Sequence, residues 1–116
     1  MHIFHTLSVA KLHPFVDRLW GWNYNLPQAL PLPSLMPGTG TEMFFHFGHA
    51  FCYTRQDDHQ ARQCASAHLL CMRRETMHLQ PSHSDNFIAV RFKIGALHRF
   101  TPIPTDLLAD QSVPLD

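Results

Sequence analysis

Ile88-Ala89-Val90-Arg91-Phe92-Lys93-Ile94-Gly95-Ala96-Leu97 alternates in side-chain character through Ile94 and then breaks at a glycine. In an extended chain successive side chains point to opposite faces. Phe87, Ala89 and Arg91 therefore share one face, and Ile88, Val90 and Phe92 share the other. Asn86 to Ile94 is expected to form one long strand with a charge near its centre. A buried guanidinium needs a partner. Arg91 either pairs with a carboxylate such as Glu42 or grips an anionic ligand with both prongs of its head.

The same period recurs upstream. Thr41 to Phe47 alternates Met43, Phe45 and Phe47 against Glu42, Phe44 and His46. Phe15 to Tyr24 places Val16, Trp20, Trp22 and Tyr24 on one face with Arg18, opposite Asp17, Gly21 and Asn23. Residues 2–8 alternate weakly and suit an edge strand or a loose arm, with Pro14 marking a turn or helix start. Gly48-His49 reads as a turn into Phe51-Cys52-Tyr53. Ser66 to Met72 and Thr76 to Gln80 read as short strands around an Arg73-Arg74-Glu75 turn. Asn25 to Gly40 carries Pro27, Pro31, Pro33 and Pro37, and reads as a surface connection or an edge because proline donates nothing to a ladder. Thr54 to Gln63 reads as an exposed hairpin loop and Pro81 to Asp85 as a turn. Gly95 to Phe100 and Thr105 to Ala109 read as short C-terminal helices, with Thr105 as an N-cap. Nine prolines argue against a helical bundle. Closely spaced strands predict a sandwich or barrel.

The chain is 116 residues long, enough for one domain with a real core. Nine Lys+Arg balance nine Asp+Glu. A DNA-gripping domain normally carries a basic patch, because phosphate neutralisation drives that affinity, so direct DNA binding is not expected. Three cysteines, Cys52, Cys64 and Cys71, form no Cys-x-x-Cys and suggest reduced thiols in a cytoplasmic protein. No segment approaches the roughly 20 apolar residues of a membrane helix. The first residues lack the pattern of a signal peptide. No membrane partner is expected.

Ten histidines raise the question of a metal. Two imidazoles aim at one ion from His-x-His on a strand, and that pattern is missing. Glu42 and His46 share parity, but His46 and His49 are separated by a turn. These three are the candidates should a metal be held, and the expectation is no metal and no cofactor, with the histidines on the surface or at a pocket rim. Ser82-His83-Ser84-Asp85 makes a poor hydrolase site, since triad members converge from separate segments. Asp57-Asp58 lies in the most polar stretch, where carboxylates are solvated, and Arg73-Arg74 reads as a solvated turn. The cysteines read as small buried hydrophobes. Trp20, Trp22 and Tyr24 offer flat apolar area with polar tips, which suits either a packed core or a small-molecule pocket. With Arg91 and Phe45 they are the candidate ligand-binding residues. No catalytic residue is expected.

Several motifs occur in a telling order: His13-Pro14-Phe15-Val16 with Trp20; Met36-Pro37-Gly38-Thr39-Gly40-Thr41-Glu42-Met43-Phe44-Phe45-His46-Phe47-Gly48; Val90-Arg91-Phe92-Lys93-Ile94-Gly95-Ala96; and Leu108-Ala109-Asp110-Gln111-Ser112-Val113-Pro114-Leu115. Over roughly residues 12–116 this order resembles the N-terminal regulatory domain, cupin-like and of unknown function, of AraC-type transcription regulators. Ile94 stands where that family usually has proline, and Cys71 near where it usually has glycine. The resemblance implies a mainly β fold, a cupin-like double-stranded β-helix or jelly-roll barrel. It implies a single regulatory domain over 1–116, not an enzyme, that senses a small-molecule effector or mediates homodimerisation. It also implies that DNA is reached only through a C-terminal helix-turn-helix module. No such pair lies within these 116 residues, so the chain is expected to be an excised regulatory domain. Alternatives are a metal-dependent cupin-fold isomerase or dioxygenase, a dimerisation module with a filled core, and a DNA-binding fragment.

Overall fold

The computed structural model describes residues 2–6, 10–30, 40–55, 58–71, 73–93, 96–97, 110 and 112–115. Among them are nine strands and no α-helix: β1 (His2–Thr6), β2 (Val16–Leu30), β3 (Thr41–His46), β4 (Cys52–Arg55), β5 (Asp58–Gln63), β6 (Ala67–Leu70), β7 (Met77–Leu79), β8 (Ser82–Phe92) and β9 (Ser112–Pro114). A short 3-10 turn at Ala10–Leu12 precedes β2. All pairings are antiparallel. The larger sheet has the order β1-β2-β8-β3-β6-β9, and the smaller has the order β5-β4-β7. The chain crosses between sheets after β3, β5, β6 and β7, so half of the connections between successive strands lead from one sheet to the other. No helix among the described residues is long and apolar enough to cross a membrane.

The sequence pattern explains the central strands. β8 lies between β2 and β3, and its alternation matches theirs in register: Trp20↔Ala89↔Phe44 and Trp22↔Phe87↔His46. Antiparallel residues directly opposite one another share a face, so the face carrying Trp20, Trp22, Tyr24, Phe44, Phe87 and Ala89 is continuous. It meets Phe51, Tyr53, Met77 and Leu79 from the smaller-sheet side in one apolar cluster. Fully burying a large apolar side chain is worth about 1.5–3 kcal/mol. These rings are the main store of stabilisation.

A second cluster on the opposite face joins Val16, Leu69, Cys71, Phe92, Ala96 and Leu97. Val16 was expected beside Trp20. A register shift between Val16 and Arg18 turns it to the other face, as an extra residue in one strand does.

Other expectations need correction. β2 does not end at Tyr24 but continues to Leu30, with Pro27 accommodated in an irregular stretch between the Asn25↔Ser84 and Leu30↔Ser82 pairs. β8 begins at Ser82, so residues 82–85, expected in a turn, are paired strand. Thr54 to Gln63, expected as an exposed loop, is mostly the β4–β5 hairpin closed by Arg55↔Asp58. The two short strands after Ser66 fall in different sheets. The expected short helices over 95–100 and 105–109 are not seen. Apart from Ala96 and Leu97, they lie outside the described residues. Asp110, at φ 58°, occupies the left-handed region that aspartate tolerates. Its side chain accepts from the backbone N–H groups of Arg74 and Glu75 at 2.7 and 3.1 Å, and Arg55 donates to its carbonyl.

Candidate functional site

Four polar side chains are buried among the described residues: Glu42, His46, His68 and Asp85. All four project into the interior between the sheets, because each occupies an inward step of its strand. The pairings order that face into successive rows. Arg18, Arg91, Glu42 and Leu70 form the first; Trp20, Ala89, Phe44 and His68 the second; Trp22, Phe87 and His46 the third; Tyr24 and Asp85 the fourth. The interior thus has a charged row at one end, an aromatic middle, and an acid at the other end.

The middle is filled by rings. Ala89, wholly buried, leaves room for Trp20 and Phe44 to meet edge to face at 5.9 Å above it. Trp20 and Trp22 also touch Phe87 at 5.3 and 5.8 Å. His68 lies parallel to Phe44 at 5.1 Å and to His46 at 5.4 Å. Phe51 meets His46 edge to face at 4.6 Å. The His68 Nδ1–H donates to the Ala65 carbonyl at 2.8 Å, which leaves Nε2 without a hydrogen-bond partner. Burial in this apolar box pushes the imidazole down to about 4, helped by His46 and opposed by the Ala65 bond.

At the acidic end, His46 Nδ1 approaches Asp85 Oδ1 to 3.4 Å. Neither carboxylate oxygen of Asp85 and neither ring nitrogen of His46 makes a hydrogen bond among the described residues. Buried polar atoms are nearly always satisfied, so each orphan of this kind calls for an explanation. Next to the pair is a cleft of about 210 Å³. Its walls are residues 23–25 of β2, residues 84–86 of β8, and residues 47–49 after β3. Gly48, at φ 153°, supplies a backbone conformation that other residues rarely adopt, and this turns Phe47 and His49 along the cleft wall. Asp85 lies 4% exposed at the cleft.

At the opposite end, Arg91 donates from Nη1 to Glu42 Oε1 at 3.2 Å, while its Nε lies 3.8 Å from Asp17. Burial raises the Glu42 carboxyl, and Arg91, then Arg73 and Arg18, oppose that rise. Desolvation correspondingly lowers Arg73. Gly40 makes room for this pair, since a Cβ there would stand 3.2 Å from Arg91 Nη2.

Among the residues singled out from sequence, Trp20, Trp22 and Tyr24 do share one face; Trp22 packs between the rings of Trp20 and Tyr24, and both tryptophans pack against Phe87. Tyr24 alone of the three also lines the cleft. Arg91 is held by Glu42. Phe45 faces away from this interior and is 39% exposed, because it is one step out of phase with Phe44. Glu42 and His46 do share the inward face, but four residues of strand separate them by about 13 Å, and His49 is exposed. Among the described residues, no three His, Cys, Asp or Glu side chains come together as a metal-ligand set. Surface or rim histidines were expected, yet His46 and His68 lie in the core. His68 was missed altogether, and Asp85 was assigned to a polar turn. The signal for His68 was its place in the apolar run Ala67-His68-Leu69-Leu70. Cys64 and Cys71 are buried as expected, and burial pushes both thiols up to about 11.

A family model described as "Domain of unknown function (DUF6597)" matches residues 7–114. No curated protein and no solved structure matches the chain.

Proposed function

The chain belongs to the DUF6597 family, and from that premise we propose that it is the effector-sensing domain of an AraC-type transcription regulator. In this reading the two sheets form a cupin-like jelly-roll barrel, and the interior responds to a small molecule. The domain works in the cytoplasm as a homodimer, reaches DNA only through a C-terminal helix-turn-helix module, and breaks no bonds. The ordered motifs from His13 to Leu115 support the family assignment. The repeated crossing of the chain between the sheets supports the jelly roll, which stacks two sheets in this manner. Formal neutrality supports the delegation of DNA contact.

The observation that carries the sensing role is the cleft at Asp85. It opens beside a buried acid–imidazole pair whose polar atoms are left unbonded, and Asp85 of that pair belongs to its lining. Such a site has more to gain from a ligand than from its own neighbours. A ligand that favours one arrangement of strands 23–25, 84–86 and the 47–49 turn shifts a conformational equilibrium by its difference in affinity for the two states. A metal-dependent cupin enzyme is the other reading carried from sequence, and no observation on the described residues favours it.

Thermal melting against a panel of small metabolites tests the proposal. A ligand present at a hundred times its Kd stabilises by about 2.7 kcal/mol, a rise of roughly 10 °C for a domain of this size. At least one compound class should produce such a rise, and sedimentation should report a dimer. A panel that leaves the melting temperature unmoved, with a monomer at every concentration, would contradict the reading.

A further inference from the structure

Asp85 and its surroundings specify what kind of molecule the cleft accepts. We infer that the cleft binds a small organic ammonium ion, held by the Asp85 carboxylate at its base. The inference rests on the sensing reading above and adds the ligand's chemistry to it.

Three observations converge. First, the carboxylate is buried and both oxygens lack a hydrogen-bond donor. A carboxylate accepts only, so what it lacks is N–H or O–H groups. Secondly, no lysine or arginine lines the cleft among the described residues. Among the described residues, the other titratable side chains at hand are His46, Tyr24 and His49. His46 stands 3.4 Å away without hydrogen-bond geometry, Tyr24 is itself a buried phenol, and His49 is on the exposed rim. A buried carboxyl group with no lysine or arginine beside it favours a guest that brings N–H donors over one that brings only acceptors. Thirdly, the rest of the lining suits such a guest. Tyr24 and Phe47 add two aromatic side chains to the lining, and Asn23, Asn25 and Asn86 add three amides at its exposed edge.

The volume limits size. About 210 Å³ holds roughly seven water-sized groups at about 30 Å³ each. That accommodates a short amine within the cleft. An anion is disfavoured twice, by Asp85 and by the acceptor-rich walls. The arginine row that would suit an anion lies at the far end of the interior, beyond the aromatic rows, and its closest guanidinium is engaged by Glu42.

Three two-carbon probes that differ in charge decide the matter: ethanolamine, ethylene glycol and glycolate. Each is titrated into the ¹⁵N-labelled domain and followed by amide shifts. Ethanolamine should move the amides of residues 23–25 and 84–86, with an affinity at least about tenfold above that of ethylene glycol, the factor expected of a charge-assisted hydrogen bond. Glycolate should leave those amides unmoved. Asp85→Asn, checked for a native spectrum, should weaken ethanolamine about tenfold. Asn86→Asp adds a carboxylate at the exposed rim without disturbing the core, and should tighten ethanolamine by about two- to fivefold. It serves whether or not Asp85→Asn folds.

Glycolate or ethylene glycol binding as tightly as ethanolamine would overturn the assignment of an ammonium. So would ethanolamine shifts confined to another surface, or unchanged affinity in the Asp85→Asn and Asn86→Asp proteins. If another class of metabolite in the melting panel then binds, the sensing role stands and only the ligand class falls. If no class binds, both fall.

Discussion

His68 gives the fold an acid weakness that can be worked out from its surroundings. The ring is 0% exposed, lies parallel to Phe44 and His46, and donates one hydrogen bond to Ala65. Burial lowers its folded-state pKa from the ordinary 6.5 to about 4. Below 6.5 the unfolded chain takes up a proton that the folded chain refuses. Stability contributed by the neutral imidazole is therefore complete above the unfolded value and is lost as pH falls through the window from 6.5 towards 4. Linkage applied to these two values gives a loss of about 2.5 kcal/mol between pH 7 and pH 4.5. With the urea dependence usual for a small domain, that moves the unfolding midpoint down by roughly 1–2 M. Other groups titrate in the same window, so the comparison is with His68→Phe, which keeps a flat ring beside Phe44 and cannot be protonated. Urea titrations of both proteins at the two pH values should show the wild type losing about 2.5 kcal/mol more than the variant. Equal pH dependence in the two proteins would refute the reasoning.

Further outcomes follow from the same interior. Ala89→Leu forces extra carbons between Trp20 and Phe44, and urea unfolding should show a loss of about 1–3 kcal/mol. Arg91→Met deprives buried Glu42 of its nearest cation and should cost about 1–3 kcal/mol in the same assay. Adding Glu42→Gln to Arg91→Met should recover part of that loss, since paired residues are not additive. Native protein at pH 8 should yield its Cys52 thiol to a disulfide reagent well before Cys64 and Cys71, which are buried and raised to about 11. Mass spectrometry of the labelled peptides reads the order.

Much of this architecture is written in the alternation of side chains. The facing of Glu42, Phe44 and His46 together, of Phe87, Ala89 and Arg91 together, and the possible Arg91–Glu42 pairing, all follow from the period of two. Alternation says which residues share a face, but it does not say which of two apolar faces meets which partner. That is why Phe45 could be taken for an interior residue, and why Val16 was placed with Trp20 before a register shift reversed it. The turn-forming composition of residues 81–85 masked the start of β8, where pairing with Tyr24 and Asn25 overrides local preference. Pro27 similarly suggested an end to β2 that the irregular pairing allows the strand to pass. The acid–imidazole pair was invisible for a different reason. His46 and Asp85 are far apart in sequence and lie on strands that become neighbours only in the folded sheet, so no spacing announces them.

On the proposed reading, the buried His46–Asp85 pair is kept for a ligand and weakens the empty domain. Replacing both partners with apolar groups of similar size, His46→Phe with Asp85→Leu, tests it by urea unfolding of the ligand-free protein. Loss of an unsatisfied buried pair should raise stability by about 1–4 kcal/mol while abolishing ligand-induced stabilisation. A double variant less stable than the parent by several kcal/mol would show the pair to be a strut of the fold, and would contradict the claim.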